Sequence, residues 1–81
     1  MRYVYVNSIS KETDKPTERG LYRSGESVEL CNLGVDKSLL IRYEDNTATV
    51  TSTVETIEHS GKLLAIETLN TLYTFSEIGM E

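Results

Sequence analysis

Polar and apolar residues alternate along most of this chain. Between residues 2 and 9, Tyr3 and Tyr5 fall on one side and Val4 and Val6 on the other. A period of two predicts a strand, and apolar groups on both faces predict one that is covered on both sides or strongly curved. Residues 26–33 repeat the pattern, with Val28, Leu30 and Asn32 opposed to Glu29, Cys31 and Leu33. Residues 38–43 form a third extended segment. Residues 47–58 form the longest, in which Ala48, Val50, Ser52 and Val54 share a face while Ile57 is out of phase. That slip predicts a bulge near Glu55 and Thr56. Residues 63–68 and 72–75 supply the last two strands. Asn46, which tolerates positive φ, marks a hairpin turn at 44–47; His59, Ser60, Gly61 and Lys62 mark a second; residues 69–71 mark a kink.

Residues 10–25 have neither periodicity, carry the single proline, and contain Gly20 and Gly25. They read as one long surface loop whose far end Leu21 and Tyr22 pin to the body, and loops of that length are often functional. Residues 76–81 read as a short flexible tail with Ile78 docked. The expected architecture is all-β: a single domain spanning 1–81, with five to six short strands in a small barrel or rolled antiparallel sheet, SH3-like or OB-like. If the sheet stays open, a homodimer would cover its second face and hide its edge.

Composition supports strands. Ten Thr, five Tyr, six Val and five Ile stand against two Ala in 81 residues. A single Cys31 excludes an internal disulfide, and it reads as a small buried hydrophobe on its strand. There is no apolar leader or membrane-length run, so a cytoplasmic location and no membrane partner are expected. The net charge of −5 opposes general nucleic-acid binding, which needs a cationic surface. This charge is uneven. Residues 1–43 hold seven basic and six acidic groups; residues 44–81 hold Lys62 against seven acids. Glu44, Asp45, Glu55, Glu58 and Glu67 therefore mark a candidate acidic contact surface for a basic patch on another protein.

Catalytic signals are weak. Nucleophilic catalysis needs a base beside the nucleophile, and the single imidazole, His59, lies in a turn with no spacing that relates it to Cys31. Gly20 and Gly25 have P-loop spacing, but Glu26 follows where the phosphate-binding Lys belongs. No metal set is apparent, and neither enzymatic activity nor a cofactor is expected. Arg19, Tyr22 and Arg23 place two guanidinium groups and a phenol within five residues, a set that suits a nucleotide or other small anion. The competing assignment pairs the two arginines with Glu18 and Glu26.

The run Thr51-Ser52-Thr53-Val54, then Ile57, then Ile66-Glu67-Thr68-Leu69-Asn70-Thr71-Leu72-Tyr73, resembles small phage and mobile-element β proteins. Those carry a T-S-x-V strand and a T-x-N-[ST]-x-Y strand as a C-terminal hairpin. The resemblance implies a phage or prophage origin, hence a host cytoplasm, and brings no catalytic residue. Thr68, Asn70 and Thr71 are expected to hydrogen-bond the local backbone and shape the kink. The expected function is a non-enzymatic interaction module that binds a host or partner protein through its acidic hairpins and the 10–25 segment. The alternative is a protein that sequesters a small anion.

Overall fold

A computed structural model describes residues 2–78. The chain runs β1 (Arg2–Ser10), α1 (Glu18–Arg23), β2 (Ser27–Cys31), β3 (Ser38–Tyr43), β4 (Ala48–Ser60), β5 (Leu63–Thr68) and β6 (Thr71–Glu77). Each strand pairs antiparallel with its chain neighbours, and β6 pairs with β1, so the sheet closes into a barrel. Six is an even number, which lets an up-and-down meander close with every pair antiparallel. Closure removes the open sheet for which a homodimer would be the remedy. No helix among the described residues is long and apolar enough to cross a membrane.

Alternation explains the core. Tyr3 and Tyr5 point inward from β1, while Val4 and Val6 stay half-buried outside. Val28 and Leu30, Leu39 and Ile41, Leu64 and Ile66, and Tyr73 and Phe75 repeat that spacing around the ring. Tyr5 occupies the centre, edge-on to Phe75 at 5.5 Å and to Tyr73 at 6.3 Å. Edge-to-face rings gain from the π quadrupole in addition to burial. So small a barrel is filled by its own side chains.

The phase of β4 is set by two bulges rather than one. The register shifts between Val54 and Thr56 against β5, where Ile57 falls out of phase, and again opposite Leu39 against β3. At the second bulge, Thr51 Oγ1 accepts from Leu39 N–H at 3.0 Å and donates to Ser52 C=O at 2.7 Å. Its hydroxyl stands in for a missing ladder carbonyl. Thr51 is therefore buried and Val50 is 70% exposed, so Val50 does not share the inward face of Val54. The Thr68 hydroxyl likewise donates to Thr71 C=O and accepts from Thr71 N–H, closing the turn at 69–70.

Two expectations about irregular chain are corrected. The 10–25 segment is not a single loop. Ile9 forms a bridge with Pro16, and six residues after Thr17 are helical. The C-terminal strand runs through Glu77, so residues 76 and 77 are ladder rather than tail; residues 79–81 of the expected tail lie outside the described residues.

Candidate functional site

The helix α1 forms because its ends are satisfied locally. Thr17 is extended and its Oγ1 accepts from Gly20 N–H at 2.9 Å, an N-cap. Glu18 in the first turn and Arg23 in the last complement the helix dipole. The helix is then tied to the barrel through hydroxyls. Tyr5 donates to Ser8 Oγ at 2.7 Å, and Ser8 Oγ shares a hydrogen bond with Thr17 Oγ1 at 2.6 Å. Gly20 presses against Ser8 so closely that any Cβ would collide with its Oγ and approach its backbone N to 3.0 Å. Burial pushes the Tyr5 phenol up to about 12, with the Ser8 hydrogen bond opposing the shift.

Arg23 is the second tie. Only 8% exposed, its guanidinium lies 4.0 Å above the buried Tyr43 ring and 4.9 Å from Tyr22. Its fork donates to Glu26 at 3.0 Å, Asp45 at 3.1 Å and Thr47 at 3.0 Å. Thr47 donates to Asp45 through hydroxyl and backbone N–H, and with Arg23 these hold the Asp45 carboxyl at about 2. The end of α1 and the β3–β4 turn thus form one charged knot, stacked on Tyr43.

This arrangement settles where the candidate residues stand. Arg23 spends its charge on Glu26, as the competing assignment has it, and on Asp45, which that assignment did not include. Its other pair, Arg19 with Glu18, is not formed among the described residues, and the anion set is left with Arg19 and Tyr22. Arg19 is exposed and has no ion pair among the described residues. Leu21 and Tyr22 do not pin the segment: they are 72% and 73% exposed on the outer side of α1. Gly20 and Arg23, the buried residues of the helix, pin it instead.

The five acids do not form one face. Glu44 meets Arg2 at 3.3 Å and Asp45 meets Arg23, both at the β3–β4 turn. Glu55 and Glu67 bracket Lys11 at 3.2 and 2.7 Å, and Lys11 also donates to Thr68 C=O at 3.0 Å. These partners raise the Lys11 pKa and lower that of Glu67. Glu58 alone of the five has no ion pair among the described residues. Folding sets Arg2, Lys11 and Arg23 of the first half on four acids of the second, which offsets part of the charge asymmetry of the sequence in space.

Other chemistry is dispersed. A groove of ≈ 450 Å³ runs between the turn at 10–12 and the turn at 69–71, outside the barrel. Cys31 is half-buried on β2, and His59 is exposed near the end of β4. No three His, Cys, Asp or Glu side chains converge on a metal-binding arrangement among the described residues. The sequence reading missed Ser8, Thr17 and Thr47, although Pro16-Thr17 followed by Glu18 is a recognisable helix start. Comparison with family models, curated proteins and solved structures finds no match to this chain.

Proposed function

We propose that this protein is a non-enzymatic protein-binding module whose principal contact face is the outer side of α1. One observation carries the reading: Leu21 and Tyr22, nearly three-quarters exposed, sit on a helix that is rigidly fixed to the barrel. Exposed apolar side chains on a mobile loop lose entropy when bound; here the helix is already ordered, and Tyr22 is oriented by Arg23. The face therefore presents an aromatic side chain of the kind that dominates binding energy at interfaces, beside an exposed leucine. The likeness of residues 51–75 to small phage proteins makes a host protein the first partner to test.

The experiment is affinity purification from the natural host with the parent chain and with a Leu21→Ser/Tyr22→Ser double variant. The partner recovered with the parent is lost with the double variant, while the melting temperatures of the two agree within about 3 °C, as expected for exposed substitutions. A partner retained at the same level by the double variant overturns the assignment of this face.

A further inference from the structure

The closed barrel still has an uncovered strand edge. β4 pairs with β3 only as far as Thr53, opposite Ser38, and then crosses to β5, with which it pairs from Val54 to Ser60. Its last hydrogen bonds on the β3 side are those of Val54, with Asp36 N–H and Lys37 C=O. Beyond them, residues 56–60 overhang the barrel with β5 on one side.

The turn decides which backbone groups face outward. Gly61, with φ 61°, and Lys62 make a two-residue hairpin between Ser60 and Leu63. Residues flanking such a turn exchange both hydrogen bonds, so Ser60, Glu58 and Thr56 spend their backbone groups on β5. Ile57 and His59 then direct theirs away from it. Among the described residues neither has a backbone partner on that side. This gives a row of two donors and two acceptors at strand spacing.

We propose that the outer edge of residues 56–60 is a strand-addition site for an extended, lysine- or arginine-bearing segment of a partner protein. The site is separate from the α1 face and can fail without it. Main-chain pairing supplies affinity in this mode and alternate side chains supply specificity. The alternation here is definite. Glu58 projects from one face of the edge with no ion pair among the described residues, so an added strand meets it with cations on that face. Ile57 lies on the other face, packed against the core, and takes apolar residues there. A second copy of this chain is the poorer occupant: it sets −5 against −5, and the register that matches Ile57 with His59 puts Glu58 opposite Glu58.

The test uses the full chain with an eight-residue peptide of alternating Lys and Val, and with its Glu/Val counterpart. The Lys/Val peptide binds, the Glu/Val peptide does not, and bound peptide slows hydrogen exchange at the Ile57 and His59 amides. His59→Pro removes one outward donor at an edge position where proline is tolerated, and Glu58→Lys removes the charge. Each weakens the Lys/Val peptide at least tenfold, so Glu58→Lys carries the test if the proline variant fails to fold. Equal binding of both peptides, unchanged affinity in Glu58→Lys, or protection only at other amides overturns the proposal. So does a dimer that blocks the peptide and is lost in His59→Pro, since a second copy is then the occupant.

Discussion

Two glycines mark the two ends of this molecule. At Gly20, on α1, a methyl group would drive into Ser8; at Gly61, in the β4–β5 turn, the same methyl would meet nothing within 4 Å. Around Gly20 the chain is tied by a hydroxyl relay, a helix cap and a buried guanidinium. Around Gly61 it is held by the β5 ladder and by one further bond, from Glu77 N–H to the Lys62 carbonyl at 2.8 Å. The segment without any periodicity is the more densely fixed of the two, and the segment with the clearest turn is the more loosely held. Periodicity reports which side chains face a core, and says little about how firmly a segment is attached.

The sharpest way to break this contrast is Gly20→Val. The position is helical with no positive φ, so the loss comes entirely from crowding against Ser8 and its backbone. Overpacking, together with rupture of the Tyr5–Ser8–Thr17 relay, is expected to cost about 4 kcal/mol in chemical denaturation. A loss below about 1 kcal/mol would mean that α1 lifts off without penalty and the helix is not fixed.

The next effect is electrostatic. Tyr5 is raised from 10.0 to about 12 by burial, so the folded state holds its proton more tightly than the unfolded chain does. Its contribution is complete below pH 10 and disappears as the pH rises through 12; two pKa units correspond to about 3 kcal/mol. Tyr3 and Tyr73 are raised as well and act in the same direction. Stability measured against pH should fall above pH 10, and Tyr5→Phe should make that fall shallower. An identical alkaline slope in Tyr5→Phe would remove Tyr5 as a source of it.

Ser8→Ala cuts the relay without crowding. It leaves the buried Tyr5 hydroxyl without its acceptor and Thr17 without its partner, at a cost of about 2 kcal/mol by denaturant titration. Tyr5→Phe/Ser8→Ala should recover part of that loss, because no polar group is then stranded at the centre. Additive losses in the double variant would show that the two hydroxyls act independently.

How far these regions could be read in advance follows from the same chemistry. Residues 38–43 and 63–68 are strands with the expected ends, and Asn46 takes the positive φ its position predicts, at 70°. The bulge after Val54 was legible because Ile57 is apolar and visibly out of phase. The bulge at Thr51 was not, because its cause is a hydroxyl that accepts a backbone hydrogen bond, and threonine suits either face of a strand. α1 was hidden because it buries a glycine and a guanidinium, leaving Leu21 and Tyr22 outside, so it has no apolar stripe to detect. The ion pairing of the acidic set was not legible for a related reason. Arg2, Lys11 and Arg23 lie 22 or more positions from most of their acidic partners, and only the closed ring brings them together.

The smallest expected effect sharpens the comparison from the other end. Gly61→Ala has ample space, so its cost is confined to the backbone: φ 61° at the first central position of a two-residue hairpin strains any residue with a Cβ. About 1 kcal/mol is the expected loss. It should be local, because the overhang is held through the pairs from Thr56 with Glu67 to Ser60 with Leu63 and makes no tie to α1. Native-state hydrogen exchange reads this directly. The amides of Glu58 and Ser60, which bond β5, should exchange faster in Gly61→Ala, while that of Gly20, which donates to Thr17, stays protected. Equal acceleration at Gly20 and Ser60 would mean that the overhang and the helix unfold together. The two glycines would then sit in one cooperative unit, and the difference in how their surroundings are tied would carry no difference in local stability.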